Sequence, residues 1–176
     1  ENVFSHRESG TDITWQRDKA VAELFKACNT RWTESQQNGV LRGISDRTHW
    51  DERWQEYMQR PIIRNTYSEK TNLEIDLPFQ LGDAFRKKLE KYPDGFQPAG
   101  ETNAWKYLTS FLDGRGRNYS RHISKPQESR RSCSRLSPYI SWGNISIRQV
   151  LQYTVENMEK HSDQRPYHNF ISRLHW

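Results

Sequence analysis

The sequence predicts a mainly α-helical fold with a small α/β remnant at its N-terminal end. Apolar residues recur at three- and four-residue steps in several segments, and typical helix-start and helix-stop residues bracket them. One short strand candidate lies between the first two of these segments. No internal repeat or low-complexity tract is present.

Taken in order, Asp12 to Ala27 carries Ile13, Ala20, Val21, Leu24, Phe25 and Ala27 at helical spacing. Arg31-Trp32-Thr33-Glu34 follows as the strand candidate, then a Gln/Asn/Gly turn and Val40-Leu41. A second helix is expected over about His49 to Gln59, ended by Pro61, which fixes φ and has no amide hydrogen. This order fits the edge of an α/β domain over residues 1–61. Residues 62–95 are polar and mixed, with Pro78 and Pro93 on either side of one predicted helix, Phe79 to Tyr92. They read as an interdomain connector that crosses a surface.

Residues 96–176 read as helical. Glu101 to Leu112 has an Ala104/Leu108/Phe111/Leu112 stripe, closed by Gly114 and Gly116. After a basic loop, Ser146 caps a helix whose Ile147, Val150, Leu151, Thr154, Val155 and Met158 share one face. Asp163 is read as the cap of the last segment, whose apolar residues are Phe170, Ile171 and Leu174. The chain starts without Met and stops at Trp176 with no helix-stop residue, which points to a piece cut in mid-helix.

With 176 residues, 33% hydrophobic composition and a mean hydropathy of −1.08, there is little apolar material to bury. Aromatics make up 12% of the chain, seven of them tryptophans that each bury on the order of 200 Å². A folded protein of marginal stability is expected. Cys28 and Cys133 have no metal-site spacing, so a reducing compartment is the simpler reading; Cys28 reads as a small core residue. Without an apolar run of membrane length or a signal-like segment, a non-secreted, cytoplasmic monomer with no membrane partner is expected. The six histidines are scattered, and no hydrolytic triad, triphosphate loop or dinucleotide fingerprint occurs.

The formal net charge of +5 is concentrated in one place. Between residues 115 and 135, Arg115, Arg117, Arg121, Lys125, Arg130, Arg131 and Arg135 face only Glu128. That patch fits a phosphate-rich partner, either a nucleotide cofactor or a nucleic-acid backbone. The run from Arg130 to Ser146 adds hydroxyls and a helix start. Ser137 before Pro138 reads as an N-cap followed by the first helical residue, whose amides and dipole favour an anion, with Ser132, Ser134 and Arg135 as further donors. The same pattern also describes an ordinary capped turn with solvated arginines.

Gly100-Glu101, Ala104, Leu108, Phe111-Leu112, Tyr119, Ser134-Arg135-Leu136-Ser137-Pro138-Tyr139, Trp142-Gly143, Ile145-Ser146 and Arg148 together resemble the flavin-binding helical domain of the DNA photolyase/cryptochrome family. Ser5-His6, Glu8-Ser9-Gly10, Arg17-Asp18, Trp32, Glu34, Gln37-Asn38-Gly39-Val40, Arg42, Arg47, Trp50, Trp54 and Met58 resemble the last part of its antenna domain. The resemblance implies a partial architecture: the C-terminal part of an antenna-type α/β domain over 1–61, the connector over 62–95, and an incomplete helical FAD-binding domain over 96–176.

It also implies roles for single residues. Tyr119 would contact the flavin's diphosphate region, and Cys133, Ser134, Arg135, Leu136 and Ser137 would wrap the FAD phosphates, with the Cys133 side chain packed and its amide binding. Phe170 would line the flavin, and Arg173 and Trp176 would face the substrate. Glu8 would touch an antenna chromophore of unspecified identity, and reads equally as a solvated carboxylate. No catalytic residue is assigned. Arg173 departs from repair enzymes that carry a carboxylate there, since a guanidinium accepts no hydrogen bond.

The implied activity is FAD-dependent, light-driven electron transfer to pyrimidine dimers in damaged DNA. One alternative is a blue-light-sensing cryptochrome without repair activity. Another is a non-catalytic helical nucleic-acid-binding protein. Because the resemblance puts much of the flavin pocket beyond Trp176, this chain alone is expected to hold FAD weakly and to repair nothing.

Overall fold

The computed structural model describes residues 1–64, 80–91 and 95–175. Strand β1 (Asn2–His6), helix α1 (Asp12–Ala27) and strand β2 (Arg31–Ser35) open the chain, and the strands pair in parallel with Val3 opposite Trp32 and Ser5 opposite Glu34. Parallel strands need a crossover, and α1 supplies it. The helix has the bounds that its periodicity predicts. Strand β1 was not foreseen, because five residues of Asn-Val-Phe-Ser-His are too few for alternation to register.

The apolar face expected for α1 is not buried. Ile13 is 81% and Leu24 58% exposed, and Cys28, expected in a core, is exposed as well. Two strands offer too narrow a surface to cover a four-turn helix. The face engages near its C-terminal end: the Phe25 ring meets Trp32 edge-on at 5.5 Å, and Trp32 Nε1 donates to Ser5 Oγ at 2.9 Å. Ion pairs add to this. Arg17 donates to Glu8 (2.6 Å) and Asp18 (2.7 Å), while Arg42 donates to Asp18 (2.8 Å) and lies 4.2 Å over the Trp15 ring. The carboxylate that the resemblance linked to a chromophore is therefore paired with an arginine.

Helix α2 (Trp50–Gln59) joins this unit to the rest. A turn at Asn38 and Gly39 (φ +58° and +72°) sits against it, and a Cβ on Gly39 would come 2.9 Å from the Trp54 ring. Glycine is required there on both grounds. Helix α3 (Asp83–Glu90) is exposed throughout; Phe79 and Tyr92, the ends expected for this helix, lie outside the described residues, as do Pro78 and Pro93.

The main core is built by α4 (Glu101–Leu112), a 3₁₀ turn (Arg115–Asn118), α5 (Tyr119–His122), α6 (Pro126–Ser132), α7 (Ser137–Ser141), α8 (Ile147–Met158) and α9 (Arg165–Leu174). Ala104, Leu108, Phe111, Leu136, Tyr139, Val150, Tyr167 and Phe170 interlock here, and the Phe111 ring lies 4.8 Å from Phe170 and 5.6 Å from Tyr119. A second cluster of Trp54, Met58 and Leu151 fixes α2 to α8. Gln152 Nε2 completes that joint by donating to the carbonyls of Met58 (2.7 Å) and Arg60 (3.0 Å), which the end of α2 leaves without helical donors.

Ser146 caps α8 as expected, in a reciprocal box: its hydroxyl accepts from the Gln149 amide (3.1 Å) and its own amide donates to Gln149 Oε1 (2.8 Å). Asp163 lies one residue further from α9 than expected, with Gln164 at the cap position, yet its carboxylate still accepts the Arg165 amide at 3.1 Å.

Candidate functional site: the turn between α6 and α7

The stretch read as a basic loop is largely helical in short pieces, and those pieces shape the turn that follows. Pro126 begins α6, Glu128 sits in its first turn, and Arg130 and Arg131 in its last, so proline and dipole both favour it. His122 Nδ1 lies 3.0 Å from Ser132 Oγ, which ties α5 to the end of α6.

Arg115 is not part of a solvated patch. Its half-buried guanidinium donates to the carbonyls of Tyr107 (2.8 Å), Arg131 (3.3 Å) and Ser134 (3.2 Å), to Ser110 Oγ (3.2 Å), and to the Cys133 carbonyl. Burial lowers its pKa from the usual arginine value, but guanidinium is basic enough to remain charged. Only the fork geometry of arginine reaches so many acceptors at once. The signal in the sequence was the pair of flanking glycines: Gly114 adopts φ +150°, and a Cβ on Gly116 would come 2.7 Å from the Phe111 ring.

This grip decides what the turn presents. Gln97 Nε2 donates to the Arg135 carbonyl (2.9 Å) and the Ile140 amide to the Leu136 carbonyl (3.0 Å), so the acceptors from Cys133 to Leu136 are all engaged. The amides of Ser134, Arg135 and Leu136 donate to no acceptor among the described residues. Arg135 has φ +63° and Leu136 is right-handed helical at φ −89°, ψ −14°. Successive amides around such a handedness change converge on one side, a concavity suited to an anion.

Two details differ from the sequence reading. Ser137 is the first residue of α7, with Leu136 at the cap position, and its side chain makes no capping bond. Cys133 does not offer its amide, which donates to the Ser129 carbonyl at 3.0 Å to finish α6. Its thiol packs beside the core, as expected, and burial pushes its pKa up.

Tyr119 and Phe170 lie together in the core, with ring centroids 5.9 Å apart, and each is at most 5% exposed. Burial pushes the Tyr119 hydroxyl up to about 12, so it stays protonated at neutral pH. Arg173 is exposed on the last turn of α9. Trp176 lies outside the described residues. Beside it, His175 stacks between Trp50 (4.7 Å) and Trp54 (4.0 Å), a contact the sequence did not reveal.

Among the described residues no cluster of His, Cys, Asp and Glu is placed to hold a metal ion, and no helix is long and apolar enough to cross a membrane. No protein-family model matches the chain, and searches of curated proteins and of solved structures return no match either.

Proposed function

We propose that this chain carries the diphosphate-binding turn of a photolyase/cryptochrome-like flavoprotein. The supporting observation is the donor-rich face of the turn, where three successive amides remain open while Arg115 and Gln97 occupy the carbonyls. Those amides and the hydroxyls of Ser134 and Ser137 fit the FAD diphosphate in type and number. Bound FAD supplies light-driven electron transfer, which in the family acts on a pyrimidine dimer in DNA. The part of this chain is to hold the phosphates, while Arg117, Arg121, Lys125 and Arg131, all exposed, favour a polyanion nearby. Arg173, in place of a hydrogen-bond-accepting carboxylate, favours a light-sensing cryptochrome as the second reading.

Amide NMR titration with FAD and with riboflavin, which has no diphosphate, tests the proposal. FAD is expected to shift Ser134, Arg135 and Leu136, weakly and in fast exchange, and riboflavin is expected to leave them in place. Equal shifts with both ligands, or none with FAD, would overturn it. Repair of irradiated oligonucleotide under blue light separates the enzyme from the sensor.

A further inference from the structure

A second surface near the turn has a different character. Arg130 and Arg135 line an open cavity of about 580 Å³, together with Phe96, Gln97, Tyr139 and Trp142. No carboxylate is among its lining residues, and neither arginine forms an ion pair among the described residues. The two aromatics are open to solvent: Trp142 is 84% exposed and Phe96 69%, whereas Trp54, Phe111 and Tyr167 are buried in the core. An exposed Trp beside unpaired guanidiniums is the pairing that single-stranded nucleic acid uses, with a base on the ring and its phosphate on the cation.

The backbone gives an independent indication. Arg135 occupies the left-handed region at φ +63°, where a side chain is disfavoured and glycine is not. At comparable positive φ the chain uses glycine at Gly39, Gly43 and Gly143, and asparagine or histidine at Asn29, Asn38 and His49; Arg135 is the one side chain with a long aliphatic stem among these described sites. Keeping arginine in a disfavoured conformation at the rim of the cavity fits a side chain selected for binding.

We propose that this cavity binds a nucleotide unit, a base stacked on Trp142 and Phe96 with its phosphate between Arg130 and Arg135. It is separate in function from the amides of the turn, so it stands or falls without the flavin reading. The unit belongs either to a single strand or to a free nucleotide, and the two sources are separable by experiment.

The test is titration of the full chain with thymidine 5′-monophosphate and with a short oligothymidylate, read at the Trp142 indole N–H by NMR. Trp142→Ala is expected to weaken binding at least about fivefold and Trp142→Phe to recover most of it. Replacing both arginines by Gln lowers the salt slope of strand binding by about 1.4. Arg135→Gly weakens binding while raising the unfolding temperature by about 2–4 °C, since it relieves the backbone. A signal from the mononucleotide identifies a free nucleotide as sufficient, and one from the oligomer alone identifies a strand; both support the site. Unchanged affinity in Trp142→Ala, an unmoved indole signal with both probes, or equal competition by oligoglutamate would overturn it. FAD shifts at Ser134 to Leu136, with neither nucleotide probe moving Trp142, would remove this site and leave the flavin turn intact.

Discussion

Residues 1–35 and residues 96–175 contain comparable helical patterns but bury them to different extents. In the C-terminal region α4, α8 and α9 share one core, and their apolar stripes are largely buried, with Val155 on α8 an exception at 43% exposed. In the N-terminal region no residue up to Ser35 is buried, and Phe4, Ile13 and Leu24 remain exposed. The lesson is that amphipathic periodicity reports a face able to be buried, and burial needs a partner surface of matching width. The unit of β1, α1 and β2 is held by the strand pairing, ion pairs and a few side-chain contacts of Trp15 and Trp32; the helical unit is held by packing.

Substitutions in the two regions should therefore separate by size. Phe111→Ala removes the ring shared by Tyr119, Tyr167 and Phe170 and should lower unfolding free energy by about 3–5 kcal/mol in urea denaturation. Arg115→Met keeps the aliphatic stem but strips several carbonyls of their donor, and should cost about 2–4 kcal/mol by the same measurement. If it costs no more than a surface change, the turn is self-supporting.

Tyr119 makes the comparison depend on pH. Its folded value of about 12 lies above the ordinary 10, so the folded state keeps a proton that the unfolded chain releases. The contribution is complete below pH 10 and falls by about 1 kcal/mol per pH unit as pH rises toward 12. Tyr119→Phe should flatten that slope, seen as the wild-type-minus-variant difference across pH 9 to 11.5. Ser146→Ala, which opens the capping box of α8, should cost about 1 kcal/mol. The smallest effect, under about 0.5 kcal/mol, is expected for Leu24→Ala on the exposed face of α1. A loss as large as that of Phe111→Ala would mean that α1 is covered in solution.

The long elements were legible in the sequence because several turns of periodicity define them, as in Asp12–Ala27 and in Glu101–Leu112, where glycines also mark the stop. The 3₁₀ turn, α5 and α6 were not, since four to seven residues carry too little period. The location of the candidate turn was also legible, from Ser-Arg-Leu-Ser-Pro. Its working parts were misassigned: the Cys133 amide ends a helix, the Ser137 side chain caps nothing, and Arg115, counted as surface charge, is what holds the carbonyls. Charge counts cannot distinguish a guanidinium facing water from one facing backbone, and only the flanking glycines hinted at the difference.

The most direct measurement compares the FAD-induced amide shifts of wild type and Arg115→Lys, with folding of both checked by circular dichroism. A lysine keeps the charge but lacks the fork, so the shifts at Ser134, Arg135 and Leu136 should vanish in a folded variant. Unchanged shifts in folded Arg115→Lys would contradict the claim that this arginine shapes the amide face proposed to bind phosphate.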